Sequence, residues 1–308
     1  MDKVHVIVNP YSARGQTQKR WEKIREAIKS HYRDFKYIFT EKPKQATDIA
    51  REVLKDGFDL IIGVGGDGTL NEISNGFFQH DSSEAINGDA SLGIVPSGTG
   101  SDFIRFMKIP RDFRQSVEAI KNSLKKKIDL GRITFTGLEK GRNVQYFINV
   151  ADFGLGAEVI RTMADTDSLK RGAFTYYKGL LKTLLSYSSK KVKIQIDDGQ
   201  TIEGQYLIGA VANGRVFGGG MIIAPDAEPD DGYLDLVLVG DMKKMEIIAN
   251  TPRLYRGTIA GNPKVKIIKT RRLQVSSDDQ VNIEYDGEVG PRLPATFEVV
   301  EKAINFRI

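Results

Sequence analysis

Leu60-Ile61-Ile62-Gly63-Val64-Gly65-Gly66-Asp67-Gly68-Thr69-Leu70-Asn71-Glu72 is the stretch whose reading decides the fold. An apolar run of strand length leads straight into a glycine loop with one carboxylate at its centre and a hydroxyl at its edge. Glycines permit positive φ and let bare N–H groups approach an anion. The helix expected from Thr69 onward would aim its positive N-terminal end at the same spot. Strand, loop and helix in this order predict a nucleotide phosphate site with a metal-binding or proton-transferring carboxylate beside it.

Outward from this stretch, the first third of the chain alternates strands with amphipathic helices. Strands are expected at 4–8, 35–39, 58–64 and 91–95, and helices at 17–31, 46–55 and 69–78, with a further helical turn from Ser101. Such alternation predicts an α/β domain, a parallel sheet with flanking helices, whose ligands bind beyond the carboxyl ends of the strands. Three loops that leave strand ends carry glycines and polar residues: 9–15, 65–69 and 96–102. Their convergence on one sheet edge makes a composite site.

The pattern changes near Ile128-Asp129-Leu130-Gly131. Strand-like runs follow at 144–150, 192–196, 206–212, 233–239, 265–268, 273–276 and 281–285, with helical stretches at 169–187 and 243–255. Val192-Lys193-Ile194-Gln195-Ile196 alternates cleanly, as an antiparallel strand with one solvated face does. The expectation is a nucleotide-binding domain over 1–130 and a β-rich, sandwich-like domain over 131–296, with 297–308 returning to complete the first.

Composition narrows the classes. With 40% hydrophobic and 28% charged residues the chain reads as globular rather than disordered. No apolar run reaches the roughly 18 residues that a membrane span needs, and the N-terminus enters a strand at once instead of laying out a signal peptide. The absence of cysteine excludes disulfides and thiolate zinc sites and makes a cytoplasmic location the default. A net charge of +5 favours anionic partners, nucleotides or acidic lipid surfaces, without choosing between them.

Asp67 could be a turn aspartate, since Asp-Gly is a common turn pair. The strand before it and Thr69-Leu70-Asn71-Glu72 after it favour a functional role. The loop is neither a Walker A motif nor a dinucleotide fingerprint. Asn71 and Glu72 fall on the first helical turn, where they could cap the helix or touch a ligand. Asp286-Gly287-Glu288 and Asp230-Asp231-Gly232-Tyr233 both read as turns on their own residues.

Taken together, Asn9-Pro10 with Ser12 and Gly15, then Gly65 to Glu72, then Pro96-Ser97-Gly98-Thr99 with Asp102-Phe103, resemble the catalytic domain of the diacylglycerol kinase and sphingosine kinase superfamily. Pro225-Asp226-Ala227, Asp230-Asp231-Gly232-Tyr233-Leu234 and Tyr285-Asp286-Gly287-Glu288 are similar to its bacterial soluble lipid kinase branch. The resemblance spans nearly the whole chain in the right order, whereas the glycine loop alone is shared with NAD kinases and phosphofructokinases.

The resemblance implies an enzyme that transfers the γ-phosphoryl group of ATP to a lipid hydroxyl. ATP would sit near Asn9, Pro10, Ser12 and Thr40, with its phosphates held by Gly65, Gly66, Asp67, Gly68, Thr69, Leu70, Asn71, Glu72 and Thr99. Asp67 and Asp102 would join a water-mediated magnesium network. Relatives often carry asparagine before the position of Asp102; here it is Ser101. Asp286, with Glu288 as second choice, would act as general base on the lipid hydroxyl. A second, structural magnesium would take Asp231 with main-chain oxygens near Glu228 and Tyr233, a donor set suited to a hard cation.

Diacylglycerol is the first-choice acceptor, with phosphatidylglycerol or a sphingoid base as alternatives. The rival readings are an NAD kinase and a non-catalytic, nucleotide-responsive lipid-binding protein. A basic, leucine-rich helix around Lys178, Leu180, Leu181, Lys182, Leu184 and Leu185 could lie on an anionic membrane surface or be ordinary core with solvated lysines. Peripheral contact at the inner membrane face and a homodimer stay open, and no nucleic-acid partner is expected. Lys125-Lys126-Lys127 reads as solvated surface, and His5, His31 and His80 lack ligand spacing.

Overall fold

The computed structural model describes residues 2–308 except 81, 83, 99, 100, 137–143, 165–181, 185 and 198. The chain divides into two compact units, one of Met1–Leu130, Pro229–Asp231 and Val300–Ile308, the other of Gly131–Glu228 and Gly232–Val299.

In the first unit, strands β1 (Val4–Val8), β2 (Phe35–Phe39), β3 (Leu60–Gly65) and β4 (Ser91–Pro96) are all parallel, in the order β4-β3-β1-β2. Asn305–Arg307, the end of the last strand of the chain, adds to the outside of β4, again in parallel. Every residue of β1 and β3 is buried, as expected of strands covered on both faces. Helices α1 (Ser12–His31), α2 (Gln45–Lys55) and α3 (Asp67–Asn75) connect them, and α4 (Asp102–Phe106) and α5 (Phe113–Asn122) follow β4. Trp21, Ile24 and Ile28 recur at helical spacing on α1 and pack on Val4, Val6, Leu60 and Ile62.

The strand order reverses between β1 and β3, since the chain moves from β1 outward to β2 and then returns to the other side of β1. Their carboxyl ends are therefore the switch point at which open α/β sheets bind ligands. Helix α1 starts five residues before the expected 17 and is interrupted by Ala13, Arg14 and Gly15 with φ of 51°, 57° and 80°. Helix α5 was not expected from the sequence.

The second unit is antiparallel. Its strands are the latter part of β5 (Lys126–Phe135), then β6 (Val144–Phe147), β7 (Val150–Gly154), β8 (Lys190–Ile196), β9 (Gln200–Ala212), a short hairpin β10 (Val216–Phe217) and β11 (Met221–Ile222), β12 (Leu234–Gly240), β13 (Val265–Thr270), β14 (Arg272–Ser276), β15 (Asn282–Tyr285), β16 (Glu288–Arg292) and the first part of β17 (Ala295–Arg307). The main ladder runs β16-β15-β7-β9-β8-β14-β17, with β12 between β9 and β13. Strand β8 alternates as expected, with Val192, Ile194 and Ile196 buried and Lys191, Lys193 and Gln195 exposed. Phe135, Phe147, Phe153, Ile283 and Phe297 share one core.

Two expectations change here. The single strand at 144–150 is two strands broken at Ile148-Asn149, and the break has a cause in the site described below. Helix α6 (Leu155–Ala164) was not expected. Helix α7 (Lys244–Arg256) matches its sequence pattern closely. Most of the expected helix at 169–187 lies outside the described residues.

Candidate active site

Three loops leave adjacent strand ends in the first unit, and hydrogen bonds weld them together. After β1, the Asn9 amide N–H donates to the Val64 carbonyl at 3.0 Å, and its side-chain amide donates to Thr69 Oγ1 at 3.0 Å. Asn9 Oδ1 accepts the Tyr11 N–H at 3.1 Å, and Ser12 Oγ donates to the Asn9 carbonyl at 2.9 Å. After β4, the Ser97 N–H donates to the Gly65 carbonyl at 2.7 Å. Thr17, fully buried, joins the Ser12 hydroxyl to the Ser97 hydroxyl and donates to the Ser97 carbonyl at 3.1 Å. Thr40, at the end of β2, is buried with its N–H on the Val8 carbonyl at 2.9 Å.

Gly65 is required by packing. A methyl group there would stand 2.3 Å from Thr69 Oγ1, because Thr69 folds back over the loop to meet Asn9. The Gly68 side is open, with nothing within 4 Å of such a methyl. The loop thus has a closed side that fixes its shape and an open side toward which a phosphate can come. Gly66 precedes α3, whose first hydrogen bond runs from the Leu70 N–H to the Gly66 carbonyl at 3.0 Å.

Asp67 spans two elements. Its carboxylate accepts the N–H groups of Asp102 at 2.5 Å, Phe103 at 3.2 Å and Ile104 at 3.4 Å, so it caps α4 from a distant part of the chain. Burial pushes the Asp67 carboxyl above its ordinary value against the pull of these amides, and the Asp102 charge adds to the rise. A divalent cation beside the two carboxylates would offset both desolvation and repulsion. The pair therefore fits a magnesium–nucleotide network. Ser101 is buried and its hydroxyl accepts from Arg111 at 3.1 Å.

Glu72 does cap a helix, though not its own. Its carboxylate accepts the Ala46 N–H at 3.2 Å and its carbonyl accepts the Thr47 hydroxyl at 2.8 Å, at the start of α2. Asn71 is buried, and its Oδ1 accepts from Asn75 at 2.9 Å. Pro10 is buried in the first loop, and Leu70 in the core of α3. Thr99 lies outside the described residues.

In the second unit, Asp286 adopts φ of 47° and its carboxylate accepts three main-chain N–H groups, Ile148 at 2.7 Å, Asn149 at 3.0 Å and Val150 at 3.1 Å. These amides are turned out of the β6–β7 run, which explains the break in that strand. Glu288, half-buried, opens β16. Beneath the loop, Glu284 Oε2 accepts the Gly287 N–H at 2.9 Å, and Glu284 is the cross-strand partner of Asp152. Both are buried and neither was singled out from the sequence. The available signal was an acid inside each of two apolar runs, 148–155 and 281–285.

Around 228–233, Asp230 pairs with Lys126 at 2.9 Å, Arg215 lies 3.8 Å from Glu228, and the Arg271 guanidinium stacks over the Tyr233 ring. Lys126 is thus engaged rather than merely solvated. Among the described residues no cluster of three His, Asp or Glu side chains could hold a metal. The donor set inferred for the structural ion has one such carboxylate, Asp231, with the remainder from the main chain, so it is a different kind of site.

A parallel α/β unit followed by an antiparallel β unit is the architecture shared by lipid kinases and NAD kinases. Residues 3–133 match the diacylglycerol kinase catalytic domain, and residues 149–307 match the YegS C-terminal NAD kinase beta sandwich-like domain. The diacylglycerol kinase of Bacillus subtilis (strain 168) is 29% identical over 96% of this chain and 93% of its own length. That of Staphylococcus epidermidis (strain ATCC 12228 / FDA PCI 1200) is 31% identical over 86% of this chain and 79% of its own. A crystal structure assigned as a diacylglycerol kinase from Bacillus anthracis str. Sterne superposes with a TM-score of 0.80 at 25% identity, covering 99% of this chain and 95% of that one. Yeast NADH kinase, at a TM-score of 0.50 and 12% identity, shares the fold alone. The chain belongs to the diacylglycerol kinase family, in its bacterial soluble lipid kinase branch, and is an ATP-dependent lipid kinase. No helix among the described residues is long and apolar enough to cross a membrane.

Proposed function

We propose that the enzyme phosphorylates diacylglycerol to phosphatidic acid, with ATP and magnesium, in the cytoplasm at the inner membrane face. The acceptor is supported by the relatives named diacylglycerol kinase that align with nearly the whole chain. The observation that carries the donor side is the Asn9–Thr69 link at the switch point, which holds two phosphate-facing loops as one surface.

Phosphoryl transfer depends on charge neutralisation and in-line placement more than on covalent chemistry. The N–H groups of 66–69 and the N-terminus of α3 attract the β- and γ-phosphoryl oxygens. Asp67 and Asp102 would hold the magnesium that accompanies ATP, and the ion would supply further neutralisation. Asp286 accepts the proton of the lipid hydroxyl as the new oxygen–phosphorus bond forms and the bond to the β-phosphoryl oxygen breaks, releasing ADP. Three amides fix the Asp286 carboxylate in one orientation, so little is lost in placing it. Glu288 is the second candidate for this role, and Asp231 the carboxylate of a separate structural magnesium.

The test is transfer from γ-labelled ATP to a panel of diacylglycerol, phosphatidylglycerol, sphingosine and NAD. Labelled phosphatidic acid as the main product is expected. Label on NAD alone, or a clear preference for another lipid, overturns the proposed acceptor.

A further inference from the structure

Helix α7 presents an apolar stripe to the outside. Ile247 and Leu254 face inward and pack on the core of the second unit. On the opposite side Met245, Ile248 and Tyr255 are 74%, 53% and 52% exposed, at helical spacings of three and seven that align them with exposed Pro252. Three of the large exposed hydrophobics among the described residues thus share one stripe on one helix. Lys243, Lys244, Arg253 and Arg256 are exposed along its flanks.

The helix has one acid in its sequence, Glu246. It accepts the Lys243 N–H at 2.7 Å and is bridged to Lys264 at 2.8 Å. Both partners hold its charge, and Lys264 pulls its carboxyl below the ordinary value. The stripe therefore combines large apolar side chains with cations, the chemistry of a helix that lies in the plane of an anionic bilayer. A second copy of this chain is a poor occupant of the same face, because a two-fold contact would set these cations against their own kind.

We propose that α7 is a membrane-docking surface, with Met245, Ile248 and Tyr255 entering the headgroup–acyl boundary and Lys243, Lys244, Arg253 and Arg256 meeting lipid phosphates. The inference gains its purpose from the lipid-kinase reading, yet its binding measurement is independent of activity. None of these residues belongs to the catalytic site, and polar substitutions at exposed positions leave stability nearly unchanged.

The test uses the full chain and the double variant Met245→Asp/Ile248→Asp, sedimented with vesicles of phosphatidylcholine alone and vesicles rich in phosphatidylglycerol. The wild type binds the anionic vesicles, more weakly as salt rises. The variant loses roughly tenfold in partitioning while its melting temperature holds. Turnover of a short-chain, monomerically dispersed diacylglycerol stays unchanged, and turnover of vesicle-embedded diacylglycerol falls. Unchanged vesicle binding by the variant, no binding by the wild type, or a change in oligomeric state on light scattering overturns the proposal. Loss of vesicle binding in a protein that phosphorylates no lipid would overturn the proposed acceptor chemistry and leave the docking surface standing.

Discussion

Glu284 and Asp152 stand directly opposite each other on the paired strands β15 and β7, both buried, and each is tied to a main-chain amide. Glu284 accepts the Gly287 N–H at 2.9 Å and Asp152 Oδ1 accepts the Ala157 N–H at 2.8 Å, at the start of α6. Gly156 makes room for this: a methyl there would lie 2.1 Å from Asp152 Oδ2. Burial raises both carboxyls, Asp152 to about 6 and Glu284 well above its ordinary value, and Glu284 is raised further by the Asp152 charge. Burial of two facing acids makes the pair give up its protons less readily than free carboxyls do.

This pair sets the sign of a pH effect on stability. Folded-state values above the ordinary 3.8 and 4.5 mean that the native protein keeps protons that the unfolded chain has lost. The contribution is full below about pH 4 and declines as pH rises through about 6 and beyond. Glu284→Gln keeps an acceptor for the Gly287 N–H and supplies an amide donor toward Asp152, without a second ionisation. Its stability relative to wild type should therefore improve between about pH 5 and pH 8, by on the order of 1–3 kcal/mol. Thermal melts of both proteins across this range measure it, and a difference that does not change with pH contradicts the raised carboxyls.

Asp286 carries structural weight as well as its proposed catalytic one. Asp286→Ala strands the N–H groups of Ile148, Asn149 and Val150, so it should lose turnover and also stability, by roughly 1–3 kcal/mol. Asp286→Asn retains a carbonyl acceptor but cannot act as a base. It should lower kcat by about 10²–10⁴ while the KM for ATP changes little. Steady-state kinetics with ATP and diacylglycerol varied separately distinguish the two effects. Near-wild-type turnover by Asp286→Asn would move the base role to Glu288.

These cases mark what was legible in the sequence. The first unit was readable because its signals are local: the unbroken apolar run 60–64, the helical spacing of Trp21, Ile24 and Ile28, and the glycine loop. What was hidden depends on partners far along the chain. The break at Ile148-Asn149 follows from a carboxylate 138 and 137 residues away. Glu72 caps a helix 26 residues back instead of its own. Helix α6 went unseen because its N-terminal acceptor, Asp152, sits inside a strand and its first turn contains Gly156, a poor helix former. Thr17, which bolts the first loop to the third, looks in sequence like any polar helical residue.

The donor loops predict a separation between anchoring and capping. Asn9→Ala removes the link to Thr69 and the acceptor for the Tyr11 N–H, both in the first unit. The KM for ATP should rise by roughly tenfold, as expected for a lost hydrogen bond that shapes a binding loop, with the KM for the lipid unchanged. Asp67→Ala should abolish turnover and also weaken the start of α4, which loses the acceptor for three N–H groups. Calorimetry with magnesium–ATP should show weak or no binding to Asp67→Ala, whereas Asp286→Asn binds it as wild type does. Equal loss of ATP affinity in both variants would contradict the division of roles.

The proposed structural magnesium at Asp231 can be separated from the ion that accompanies ATP by omitting the nucleotide. A ligand that binds only the folded state raises the melting temperature in proportion to the logarithm of its concentration once sites fill, about 2.7 kcal/mol at a hundredfold excess over Kd. Wild-type protein without nucleotide should therefore melt higher as magnesium is added and lower after chelation, and Asp231→Ala should lose most of this response. Asp230 is the control, because its carboxylate is engaged with Lys126 at 2.9 Å. Asp230→Asn should retain the magnesium response while losing the ion pair, which at this half-exposed position is worth no more than about 1 kcal/mol. An unchanged magnesium response in Asp231→Ala, or full activity of that variant after chelation and readdition of magnesium–ATP alone, would count against a separate ion at this loop.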